Sequence, residues 1–222
     1  MKKTPYFLCY DFETSSVDPH TTQILQIAAC IIDARSCTIV DKFDSLVKPE
    51  DEKTIDSKAL EVNKLNLDDL KQAPSITIIF PAFATWISKY NIYKDRSPWG
   101  APISCGWNIT NFDNIILNRY ARKLRCIHGT EPNLIHPIIS FDCMHTLFWL
   151  TYFNNDISSY KLTSILEYCG ISKRELEKAH NAIYDVEFCA QLAIKLIKLS
   201  RHFNEVNNGK RRLEIKNSLK GK

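Results

Sequence analysis

A mixed α/β fold, a sheet with helices packed on it, is what the sequence predicts. Three observations carry the prediction. Three apolar or β-branched runs stand in a row near the start, at 5–11, 23–33 and 37–49. After them, segments of helical period alternate with one further strand-like run, at 101–108. The segment 181–203 is a long amphipathic stretch. Strands in succession, then helices alternating with strand, imply a mixed sheet: three antiparallel strands, then parallel ones, flanked by helices.

The elements follow in order. "PYFLCYD" reads as a buried first strand. "QILQIAACIID" and "CTIVDKFDSLVKP", joined by "ARS", read as an antiparallel pair. The stretch 57–74 has helical spacing, with Leu60, Leu67 and Leu70 on apolar stripes, and stops at Pro74. The stretch 75–91 is apolar enough for a strand and long enough for a helix; Pro81 argues against a central strand and favours a helix kinked or started near it. "APISCGWN" is a strand closed by Gly106, and 111–125 is a helix. Helices are expected over 141–153 and 161–170, the latter stopping at Gly170. In the last helix, Val186, Cys189, Ala190, Ala193, Ile194 and Ile197 share a face.

With 222 residues the chain suits one domain, expected over 1–203, with a basic tail over 204–222. From 207 onward six basic residues stand against Glu214, although the net charge is only +4, so the body is nearly neutral. A basic tail can hold a polyanion or lie solvated and frayed. No stretch is long and apolar enough to span a bilayer, and the N-terminal apolar run ends at Asp11, so no membrane is expected. The 8 cysteines are scattered without CxxC spacing, which suggests reduced core thiols and a cytoplasmic setting.

Chemistry is concentrated in the acids. In "YDFETSS", Asp11 and Glu13 lie two residues apart at the end of a strand, so both point to one face. Two carboxylates so placed repel, and a hard divalent cation resolves the conflict. Asp113 opens a helix after the strand 101–108, a position a helix dipole also explains. Asp185 lies in the first turns of the last helix, close to its buried stripe, and His180 precedes it by five residues. Each motif alone is ordinary; their order is specific.

In that order, "YDFETSSVDPHTTQILQIAA", "GWNITNFDNIIL", "SYKLTSILEYCGI" and "HNAIYDVEFCAQLA" resemble the DEDD superfamily of 3′→5′ exonucleases, in its DnaQ-like branch with a histidine (DEDDh). The likeness covers roughly residues 5 to 200. The middle stretch also resembles the exonuclease segment of B-family DNA polymerases, but the chain is too short to carry a polymerase domain. The tyrosine branch would place Tyr at 181, which is Asn.

The resemblance implies an RNase H-like fold. It implies that Asp11, Glu13, Asp113 and Asp185 bind two Mg²⁺ or Mn²⁺ ions, with His180 as general base. It further implies hydrolysis of single-stranded DNA or RNA from the 3′ end, releasing nucleoside 5′-monophosphates, and it admits a homodimer or a polymerase or repair partner. Phe12, Thr14, Asn108, Phe112 and Lys161 are the candidate substrate contacts, although core packing accounts equally for Phe12 and better for Trp107 and Phe112. The sequence departs from the family at Gln26, where many relatives carry an acid, and at Ser16 or Val17, where a glycine is usual. Two other readings stand beside the enzyme. One is a catalytically weak module that keeps the fold to bind nucleic acid or protein. The other is a phosphatase on an unrelated fold, which the order of motifs disfavours.

Overall fold

The fold is given by a computed structural model that describes residues 4–128, 131–132, 134–172 and 182–206. Strands β1 (Tyr6–Thr14), β2 (Ile24–Asp33) and β3 (Thr38–Leu46) form an antiparallel meander. Helices α1 (Ser57–Asn63), α2 (Leu67–Gln72) and α3 (Ile76–Ser88) follow. Then come β4 (Ile103–Gly106), α4 (Asp113–Lys123) and a small hairpin of β5 (Ile127–His128) and β6 (Glu131–Pro132). Strand β7 (Ser140–Asp142) leads into α5 (Cys143–Leu150), α6 (Leu162–Tyr168) and α7 (Ala182–Val206). The central sheet runs β3-β2-β1-β4-β7, and β4 and β7 lie parallel to β1.

Strand alternation divides β1 between two cores. Leu8, Tyr10 and Phe12 face a layer built by α3 and α4, with Phe80, Phe83, Ile116 and Leu117. Cys9 faces the other way, into Cys105, Cys143 and the α7 stripe of Val186, Cys189, Ala190 and Ala193. Asp11 and Glu13 continue the Cys9 side. All eight cysteines are free, and six are buried.

Several sequence expectations shift by a few residues. The helix expected over 57–74 is two, because Lys64 takes a left-handed backbone (φ 53) and the Asn66 side chain caps α2 by accepting from the Asp68 N–H. Helix α3 begins at Ile76, so Pro81 sits inside the helix instead of starting it. The helix expected over 141–153 is a three-residue strand followed by a shorter helix. The last helix continues to Val206, past the expected boundary at 203, and the tail beyond lies outside the described residues. No helix among the described residues is long and apolar enough to cross a membrane.

Candidate active site

Four acids meet at the C-terminal end of β1. Asp11 and Glu13 come from the strand itself, on the face that α7 covers. Glu13 is buried and lies opposite Gln26 of β2. Gln26 points its Nε2 donor to Asp44 Oδ1 at 2.8 Å, so a neutral amide stands beside Glu13.

Asp113 reaches the same edge from the opposite layer. It is 3% exposed, and its Oδ1 accepts the Phe12 N–H at 3.0 Å. The next residue repeats the tie, since the Tyr10 hydroxyl donates to Asn114 Oδ1 at 2.6 Å. Asp113 is the first residue of α4, where partial positive charge favours a carboxylate.

Asp185 arrives on the first turn of α7. Two contacts fix that turn over the sheet: the Cys9 thiol donates to the Val186 carbonyl at 3.6 Å, and Lys42 of β3 pairs with Glu187 at 2.5 Å.

Crowding is visible in the proton affinities. Burial, and then the charge of Asp185, raise Asp11 to about 7. Burial, followed by Asp11, Asp185 and Asp113, raises Glu13 to about 9. Asp113 is pushed well above the carboxylate range by burial and by Asp11, against the lowering effect of the Phe12 N–H. Like charges that face one another raise each other's proton affinity. At neutral pH, protons on Glu13 and partly on Asp11 relieve the repulsion. Among the described residues, no group of three His, Cys, Asp or Glu side chains is pre-arranged to hold a metal ion. The donors are nonetheless all carboxylate oxygens, the set that suits a hard divalent cation.

These shifts predict how stability depends on pH. In the unfolded chain the two carboxyls lose their protons near pH 4. In the fold they keep them to about 7 and 9. Between those limits the native state binds more protons, so stability is greatest below pH 4 for these groups and falls as pH rises. Melting temperatures in EDTA should therefore decline from pH 6 to pH 9, and Mg²⁺ should offset the decline most at the alkaline end. A flat profile in EDTA would show that the carboxylates are not crowded.

The remaining sequence candidates divide. His180 lies outside the described residues. The Phe12 ring is buried against Tyr10 and Phe83, the core packing that the sequence allowed equally, and its N–H is turned to Asp113. Phe112 is partly buried against the same core. The Thr14 hydroxyl donates to the Ser16 carbonyl at 2.9 Å, and the Ser16 N–H is held by Thr22 Oγ1. Neither Ser16 nor Val17 has a positive φ, so this loop's backbone does not call for a glycine at either position. Lys161 is exposed at the start of α6.

One positioning residue escaped the sequence reading. Asp142 is buried at the end of β7. Its Oδ1 accepts the N–H groups of Met144 and His145 and so caps α5. It also accepts the Asn108 N–H at 3.2 Å, while its Oδ2 takes the Thr110 hydroxyl at 3.0 Å. This holds the loop before Asp113, including Asn108 in a left-handed conformation (φ 55). An acid ahead of a helix was the available signal. Asp142→Ala removes a cap and leaves several partly buried donors without their acceptor, and should destabilise the protein by about 2 kcal/mol. Denaturant unfolding measures this; a loss under about 0.5 kcal/mol would mean water replaces the carboxylate.

A mixed sheet whose first strand ends in convergent acids, met by an acid from each helical layer, is the architecture of RNase H-like exonucleases. The family model described as Exonuclease (RNase_T) matches residues 8–193, and the chain belongs to that family, within the DEDD superfamily. Among curated relatives, the PolC-type DNA polymerase III of Thermotoga maritima is 23% identical over 88% of this chain, and that of Bacillus subtilis 24% over 86%. The chain spans only 12% and 11% of those polymerases. Among solved structures, E. coli exonuclease I in complex with a dT13 oligonucleotide superposes with a TM-score of 0.69 at 17% identity, over 93% of this chain and 44% of that one. A 3′-exonuclease described in 3′-end-specific recognition of a histone mRNA stem-loop gives 0.62 at 16%, over 89% and 84%.

Proposed function

We propose that this protein is a metal-dependent 3′→5′ exonuclease of the histidine branch. It would remove nucleoside 5′-monophosphates from the 3′ end of single-stranded DNA or RNA. The observation that carries the reading is the mutual crowding of Asp11, Glu13, Asp113 and Asp185 at one strand end, in a chain of the exonuclease family. The neighbours' oligonucleotide and mRNA ligands support a nucleic-acid end as substrate.

In this reading Asp11, Glu13, Asp113 and Asp185 would together hold two Mg²⁺ or Mn²⁺ ions. When bound, such ions activate water and neutralise charge on the phosphate and leaving oxygen. Glu13 and Asp11 must give up their protons to serve, so ion affinity rises with pH. Asp113, clamped to the Phe12 N–H, keeps the strand end and the first turn of α4 in register. His180 takes the proton from the attacking water; an imidazole with an ordinary pKa near 6.5 suits that task.

A direct test is the digestion of a 5′-labelled single strand. Stepwise shortening in Mg²⁺ or Mn²⁺, stopped by EDTA, is expected. Binding without shortening in either metal would instead favour the catalytically weak module. Matched DNA and RNA oligomers in the same assay identify the preferred sugar.

A further inference from the structure

The reach of α5 presents rings that no core covers. Trp149 is 71% exposed, Tyr152 56% and Phe153 92%. Large rings clustered on a surface generally mark a binding site. Here they form a connected ladder. Trp149 and Tyr152 lie nearly parallel, at 25° with centroids 5.9 Å apart, and Phe153 stands edge-on to Tyr152 at 5.1 Å. Tyr152 contacts Phe148 at 5.6 Å, and Phe148 contacts Tyr160 at 5.2 Å. The Tyr160 carbonyl then accepts the Trp107 indole N–H at 3.1 Å. Trp107 adjoins Asn108, in the loop that Asp142 ties beside Asp113. The ring cluster is thereby joined, through the Tyr160 backbone, to the loop that precedes Asp113.

Its chemistry favours nucleic acid. From Cys143 to Asn155 there is no acidic side chain; exposed Asp156 follows, and Lys161 is exposed at the start of the neighbouring α6. Thr151 stands between the rings and shares a hydrogen bond with the Tyr160 hydroxyl at 2.9 Å, while Asn154, just past them, donates to the Tyr168 hydroxyl at 2.6 Å. Leu150 is the one exposed aliphatic residue in the run 148–153, whereas a protein-binding helix would usually offer several. Flat, amphipathic rings presented serially are what successive unpaired bases stack on.

We infer that Trp149, Tyr152 and Phe153 form a stacking track for the bases upstream of the 3′ end, holding a single strand as its terminus enters the site. This rests on the exonuclease reading, and the test separates the two. Fluorescence anisotropy of a labelled 20-nucleotide (dT) strand is measured in EDTA, where no cleavage occurs, with the wild-type protein, the Trp149→Ala/Tyr152→Ala protein and the Trp149→Phe/Tyr152→Phe protein. Because the rings are exposed, all three should melt at similar temperatures. Loss of two stacks should weaken binding about ten- to a hundredfold in the alanine protein. The phenylalanine protein should bind within about threefold of wild type, since a ring still stacks.

Equal binding by the alanine protein, with wild-type cleavage intact, would overturn the track and leave the exonuclease reading standing. So would a wild-type dimer in sedimentation that the alanine pair dissociates without loss of binding; the patch would then be an interface between copies. A wild-type protein that neither binds nor cleaves single strands would overturn both.

Discussion

Asp11→Ala is expected to remove at least a thousandfold of exonuclease activity while leaving the fold intact. The magnitude follows from its place. Asp11 stands at the centre of the crowded set, adding to the proton affinity of both Glu13 and Asp113. If it is the ligand shared by two ions, its loss weakens both at once. Charge stabilisation by such ions is worth several kcal/mol, and about 4 kcal/mol corresponds to a thousandfold in rate. The fold should survive for the converse reason. A half-buried carboxylate whose pKa is raised to about 7 opposes folding of the metal-free protein at neutral pH, so its removal relieves repulsion. Single-turnover digestion with excess enzyme, beside a thermal melt in EDTA, checks both halves. Undiminished digestion would remove Asp11 from the chemistry. A large fall in melting temperature would show that it is structural.

His180→Ala should lower the rate by about 10²–10⁴, the usual contribution of a positioned general base. The cause differs from that of Asp11, and so does the signature. Losing the base leaves ion binding in place, so the concentration of Mn²⁺ needed for half-maximal activity should scarcely move. At saturating Mn²⁺, which keeps Asp11 and Glu13 ionised, the acidic limb of the pH–rate profile should also flatten, because the remaining group whose deprotonation it reports is gone. A loss below tenfold, or an unchanged acidic limb, would assign the proton to another acceptor.

What the sequence revealed and what it hid have physical causes. Strand β1 was legible because its period of two continues to its end: Leu8, Tyr10 and Phe12 fill one core while Asp11 and Glu13 extend the other face. The same alternation, followed strictly, also places the Phe12 ring in the core. Helix α7 was legible from its buried stripe. Strand β7 was not, because three residues leave no period, and "SFDCM" runs into the apolar pattern of α5. The break between α1 and α2 was hidden because Lys64 adopts a left-handed backbone without the glycine that would announce it. Asp142 carried the mark of a helix cap, but its second task, holding the loop of Asn108 and Thr110, depends on the parallel pairing of β4 with β7, which no local pattern encodes.

Gln26 is a neutral neighbour of the acids. The amide sits opposite Glu13 and satisfies Asp44, so the site keeps its acids without adding a charge to an already crowded corner.

Calorimetric titration of Mn²⁺ into the protein at pH 7.5, in two buffers of different ionisation enthalpy, tests the carboxylate cluster most directly. Saturable binding with net release of protons is expected, because Glu13 and part of Asp11 are protonated at that pH and must ionise to ligate. The Asp11→Ala protein should show binding at least tenfold weaker, with fewer protons released. Heats that show no saturation, or an affinity and proton count that the substitution leaves unchanged, would contradict the assignment of these acids as the ion site.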